Sequence, residues 1–145
     1  MKRDKRFDEL ADMLDEIGLH YRAIGHEQKG YQYTKASKSV RKADFIPPDP
    51  SEIDNVGDAI RDDIAQWRMR GEIDRLEDFR EDRPYLSNLC KLREVGPSTA
   101  ENIYREKNVE TIDGVKDLID DGKLTEISGI GSKTAATIKR SVSNQ

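Results

Sequence analysis

One cysteine, one tryptophan and two histidines in 145 residues leave little material for several kinds of chemistry. A lone Cys90 cannot form an intrachain disulfide, and it fits a reducing interior. His20, His26 and Cys90 could be grouped as a metal set, but ordinary surface and core roles account for them more simply. No run approaches the roughly 18 apolar residues of a membrane span. The charged start, Met1 to Arg6, is followed by no apolar segment, which argues against a secretory signal. Convincing strand alternation is also missing, so an all-α fold is expected, working in the cytoplasm, nucleoid-associated or inside a virus-infected cell.

An overall basic excess is lacking too. The formal net charge is −4, which at first argues against nucleic acid. Distribution matters more than the sum. Gln28 to Lys42 carries five bases (Lys29, Lys35, Lys38, Arg41, Lys42) and no acid. Ser51 to Asp82 carries eleven acids against five bases, so a polyanion should avoid that stretch.

Phe7, Leu10, Ala11, Leu14 and Ile17 recur at helical spacing, which predicts a helix from about Arg6 to Ile17 with Gly18 as its stop. Residues 18–27 read ambiguously. A second helix is expected from about Tyr31 to Lys42, burying some of Tyr33, Ala36 and Val40 with its lysines outward. Ile46-Pro47-Pro48-Asp49-Pro50 must be a stiff connector, and Ser51 then looks like an N-cap. Thr111 should cap a helix through Asp120 that Gly122 ends. Trp67, near Ile60 and Ile64, reads as core. Tyr31 could stack on a base.

One pattern occurs three times: short helix, tight turn, longer helix. Its copies centre on Ile53-Asp54-Asn55-Val56-Gly57, Leu92-Arg93-Glu94-Val95-Gly96 and Ile127-Ser128-Gly129-Ile130-Gly131. A glycine turn lets backbone approach a ligand closely. The following helix starts at once, with unpaired N–H groups at the positive end of its dipole, which suits a phosphate oxygen. Such contacts position a protein on DNA without reading sequence. The third copy is best equipped: Gly129 and Gly131 make the turn, and Ser132, Lys133 and Thr134 add donors. Gly96, Ser98 and Thr99 supply the second. The first has Asn55 in the leading position and Asp58, Asp62 and Asp63 on its helix, so it reads as structural.

The order and spacing resemble the N-terminal region of family X DNA polymerases, especially the bacterial and archaeal type. Tyr33-Thr34-Lys35-Ala36-Ser37 and Gly71 to Phe79 are similar to the small lyase-type domain. Val95 to Ala100 and Ile127 to Ala135 are similar to the paired hairpins that follow it. The resemblance implies two small helical lobes: residues 1–82 lyase-like, as in the polymerase beta N-terminal domain, and residues 83–145 a tandem helix-hairpin-helix. Residues 18–27 look like an insertion. Two departures set the expected function. The chain ends where the palm would begin, so the metal-binding aspartates of nucleotidyl transfer have no counterpart. The family's lyase lysine, six residues beyond the second glycine, falls on Asp63, and a carboxylate forms no Schiff base. A neighbouring phosphate-binding lysine falls on Ala59. Lys29, Tyr33 and Lys35 remain of the basic pocket, with Lys38 beside them.

The expectation is a non-catalytic, largely sequence-independent DNA-binding protein, an accessory in DNA repair or replication. Its partners would be duplex, gapped or recessed DNA and repair or replication proteins, with no membrane. Two alternatives stay open: a residual abasic-site (5′-deoxyribose phosphate) lyase using Lys35 or Lys38, and a polymerase remnant that binds protein. No organic cofactor is expected. The resemblance implies a monovalent cation, K+ or Na+, held by hairpin carbonyls: those of Thr125, Ile127 and Ile130 in the third hairpin, and of Cys90, Leu92 and Val95 in the second.

Overall fold

The computed structural model describes residues 4–145, and Met1-Lys2-Arg3 of the charged start lie outside them. Among the described residues every regular element is helical. In order these are α1 (Arg6–Ala23), α2 (Glu27–Lys42), α3 (Asp58–Arg70), α4 (Asp74–Asp82), α5 (Leu86–Leu89), α6 (Pro97–Lys107), α7 (Ile112–Asp120) and α8 (Ser132–Ser143). Short 3-10 turns at Pro50–Glu52 and Leu124–Glu126 precede α3 and α8. The chain divides into two compact units, Met1–Asp82 and Arg83–Gln145.

The first unit is built on α1 against α2. Phe7, Leu10, Ala11, Leu14 and Ile17 form the buried stripe of α1, and Tyr33, Ala36 and Val40 that of α2. Trp67, Ile60 and Ile64 of α3 join the same core, as their spacing indicated. Gly18 does not stop α1, which runs on to Ala23. It is glycine because α2 crosses there: a Cβ on Gly18 would lie 2.8 Å from the Gly30 carbonyl oxygen, and one on Gly30 2.8 Å from that of Gly18. The break comes instead at Gly25, whose φ is +88°. Residues 18–27 are therefore mostly helix, and α2 starts four residues earlier than its apolar spacing showed. Gly30→Ala should push the two backbones apart and cost about 1–3 kcal/mol, the usual penalty of overpacking. Urea denaturation reads this as a lower midpoint with an unchanged slope.

Ser51 caps no α-helix. Asp49 caps the 3-10 turn, accepting the Ser51 N–H at 3.0 Å and its hydroxyl at 2.7 Å, and these bonds hold the Asp49 carboxyl below the usual range. The proline connector is clamped by Arg68, whose guanidinium donates to the carbonyls of Ile46 and Pro48.

In the second unit the core is aliphatic, with Leu86, Leu89, Leu92, Ile103, Val115 and Ile138 buried almost completely. Thr111 caps α7, its hydroxyl accepting Gly114 N–H at 3.0 Å, and Gly122 follows the helix with φ +67°.

Candidate nucleic-acid interface

The three turns have one backbone. In each, an aliphatic carbonyl accepts the N–H three residues on: Ile53 from Val56 at 3.2 Å, Leu92 from Val95 at 3.1 Å, Ile127 from Ile130 at 3.1 Å. The residue after the turn's second position is left-handed in all three, with φ of 68° at Asn55, 71° at Glu94 and 84° at Gly129. Asparagine tolerates this region through its short polar side chain, and Asn55 also donates to the Ser39 hydroxyl at 3.2 Å. Glutamate has no such excuse, so Glu94 sits in a strained conformation.

The second glycines behave differently from their sequence reading. Gly57, Gly96 and Gly131 have φ of −88°, −85° and −91° with ψ near 180°, extended geometry open to any residue. A Cβ at any of them would meet nothing within 4 Å. Neither backbone strain nor packing requires glycine there. What glycine does is keep the surface in front of the helix N-terminus clear.

Behind each glycine the next helix begins without a side-chain cap. The first helical bonds run from Arg61 to Gly57 (2.8 Å), Ala100 to Gly96 (2.9 Å) and Ala135 to Gly131 (2.9 Å). The N–H groups ahead of them face outward. The third hairpin offers those of Ser132, Lys133 and Thr134. The second offers Ser98 and Thr99 only, because Pro97 has no N–H. The first offers Asp58, Ala59 and Ile60, but the Asp58 side chain is 90% exposed at the same place.

The last two hairpins are also locked together reciprocally. Arg93 N–H donates to the Ser141 hydroxyl on α8 at 2.8 Å, and Ser128 N–H to the Glu106 carboxylate on α6 at 3.0 Å. Each donor lies three residues before its own second glycine, and each acceptor ten after the other's. Asn102 adds a bond to the Ser128 carbonyl at 3.1 Å. The pair is thus pseudo-symmetric. Beside the third turn, one groove is lined by Ser132, Thr125 and Lys139, and another by Lys133, Thr134, Arg140 and the intruding Glu94.

In the first unit, Lys29, Tyr33 and Lys35 come together with the first turn around a cavity of about 420 Å³. Lys38 stands outside it, in the neighbouring groove. Two expectations fail at this cavity. Asp63 does not face a phosphate: it is 3% exposed, accepts the Tyr33 hydroxyl and pairs with Arg75 at 3.1 Å. Tyr33 is 3% exposed with that hydroxyl committed, so it walls the cavity and cannot offer its hydroxyl to DNA. Arg75, which sequence reasoning passed over, also holds the Tyr21 hydroxyl at 2.8 Å. Its only signal was its place inside the Gly71–Phe79 segment. Burial works against its charge, while Tyr33 and Asp63 outweigh that and keep it protonated.

Burial and the bond to Asp63 push Tyr33 well above the ordinary tyrosine value, and burial with Glu101 does the same for Tyr85. Tyrosines of an unfolded chain ionise near pH 10. The stability these two contribute is therefore complete below that pH and lost as pH rises beyond it. Melting temperature should fall above pH 10, and less steeply in Tyr33→Phe.

His20 is buried and stacks on Phe79 with ring centroids 5.1 Å apart, whereas His26 is exposed. Among the described residues no group of three His, Cys, Asp or Glu side chains is arranged to hold a metal ion. None of their helices is long and apolar enough to cross a membrane.

Residues 86–143, in the second unit, match the model of the SAM-like helix-hairpin-helix tandem family. Nearly the whole chain, 94%, is similar to DNA polymerase lambda of Arabidopsis thaliana, at 27% identity over 144 residues. The chain spans about a quarter (26%) of that protein's length. The hairpin region is thus similar to that of a family X polymerase, and this plant relative gives no ground for the narrower bacterial and archaeal placement.

Proposed function

We propose that this chain binds DNA through its phosphate backbone, without reading sequence, and that the third hairpin supplies most of the affinity. One observation carries the reading: Gly131 is glycine where neither conformation nor packing asks for it, directly in front of three outward N–H groups and Lys133. A phosphate oxygen approaching that point meets backbone donors at the positive end of α8. The hairpins are graded. The second has one donor fewer and an adjacent Glu94, and the first presents Asp58. Association with repair or replication is consistent with the polymerase relative.

The chain's own residues favour binding over lyase chemistry. Asp63 occupies the nucleophile position and is tied into an ion pair, and Ala59 stands where a phosphate-binding lysine would help. In the third hairpin a monovalent cation would be held by the carbonyls of Thr125, Ile127 and Ile130; the Ile127 carbonyl, which accepts the Ile130 N–H, has a second lone pair to offer it. The same set in the second hairpin is Cys90, Leu92 and Val95. Such an ion would add positive charge beside the phosphate.

Few phosphates are within reach, so binding should be weak and salt-sensitive. Duplex titrations should give dissociation constants of roughly 10⁻⁴ to 10⁻⁶ M at physiological salt and a log–log salt slope of about −2 to −4. A slope near zero, or strong preference for one base sequence, would refute the proposal.

A further inference from the structure

Arg105 and Arg140 occupy one position of the repeat, nine residues beyond Gly96 and Gly131. Both are exposed, and each reaches back to the residue three before it. Arg105 donates to the Asn102 side-chain oxygen at 3.4 Å, and Arg140 to the Thr137 hydroxyl at 3.3 Å. Each also stands beside the other hairpin's turn. Asn102 donates to the Ser128 carbonyl of the third turn, and Arg140 lines a groove of about 380 Å³ with Arg93 and Glu94 of the second. Among the described residues neither guanidinium forms an ion pair. Elsewhere in this acidic chain arginines find carboxylates: Arg41, Arg70, Arg80 and Arg83 each hold one within 2.9 Å. Glu94 lines both grooves that Arg140 enters and still forms no ion pair with it. A guanidinium kept free of internal carboxylates presents its planar fork of N–H groups to an external anion, and phosphate fits that fork with two parallel bonds. The first hairpin has no counterpart. Nine residues beyond Gly57 comes Gln66, whose amide oxygen accepts the Asp74 N–H at 2.9 Å.

We infer that Arg105 and Arg140 are a second pair of phosphate contacts, made by side chains rather than backbone, and that Glu94 weakens the one at Arg140. The inference rests on the proposed DNA binding and extends it: the amides of each hairpin are supplemented by the guanidinium of the other hairpin's second helix. The left-handed position of the third turn is Gly129, which brings no charge to the phosphate beside Arg105. At the second turn it is Glu94, whose carboxylate repels the phosphate that Arg140 attracts. The two contacts are thus equivalent in backbone and unequal in charge, which favours the third hairpin again.

The test is duplex titration of the whole chain at several salt concentrations. Arg105→Gln should weaken binding about five- to tenfold near 0.1 M salt and make the log–log slope shallower by about one unit, the share of one phosphate contact. Arg105→Lys should restore the slope but only part of the affinity, since an ammonium lacks the fork. Lys116→Gln, the same loss of charge on the exposed surface of α7, should stay within about twofold. Arg140→Gln should cost less than about threefold in the unaltered chain and about tenfold beside Glu94→Gly. Both arginines are exposed, so thermal melting of their variants should be unchanged and serves as the folding control. An Arg105→Gln protein no weaker than Lys116→Gln would overturn the inference. Equal losses from Arg140→Gln in both backgrounds would overturn the role given to Glu94. Gly131→Val separates the two levels: if it abolishes binding while Arg105→Gln is harmless, the hairpin proposal stands and this one falls.

Discussion

Asp63→Lys is expected to destabilise the first unit, and it should not create a lyase. The substitution puts an ammonium group into a buried position against Arg75 and leaves the Tyr33 hydroxyl without its acceptor. Breaking a buried pair by removing one partner costs about 3–5 kcal/mol. Arg75 is about a third exposed, so water recovers part of that, and a loss of about 2–4 kcal/mol follows. In a unit of this size that lowers the melting temperature by roughly 10–30 °C. Asp63→Asn, which keeps an acceptor for Tyr33, should cost less. Borohydride trapping on abasic DNA should give no adduct above background with the unaltered protein. A robust adduct, lost in Lys35→Ala, would restore the lyase reading, and an Asp63→Lys protein that melts normally would show the ion pair to be dispensable.

The second large effect concerns the third hairpin. Lys133→Glu should weaken binding to every duplex alike, by about tenfold near 0.1 M salt, and make the salt slope shallower by about one unit. Gly131→Val isolates the backbone. Its Cβ would enter open space at an extended φ, so thermal melting should hold while DNA binding is lost. Gly129→Val is the contrasting case, because φ of +84° strains a β-branched residue and should destabilise the second unit itself. In the second hairpin, Glu94→Gly removes both a strained residue and a carboxylate from the groove of Lys133, so stability and affinity should rise together. Asp58→Lys in the first should leave affinity unchanged or raise it. A harmless Lys133→Glu beside disabling changes at Gly57 would reverse the order of the hairpins.

Much of this was legible in the residues themselves, because helices and their turns are local. Apolar spacing defined the buried faces of α1 and α2, Thr111 and Gly122 bounded α7, and the repeated turn marked three hairpins. A pattern of a few residues determines such features, since the bonds that make them span only three or four positions. Misreadings came where a distant partner decided. Gly18 looks like a helix stop until Gly30 crosses it within van der Waals distance. Asp63 looks like a repelling surface charge until Tyr33, thirty residues away, and Arg75, twelve away, enclose it. Two glycines flanking Ile130 look alike in sequence, yet only Gly129 needs positive φ, and Gly131 serves what approaches from outside. Phe45 is 69% exposed with no sequence signal of it at all, because exposure depends on whether the rest of the chain covers it. Local hydrogen bonding thus wrote the hairpins into the sequence, and burial, which no residue chooses alone, was decided by the tertiary structure.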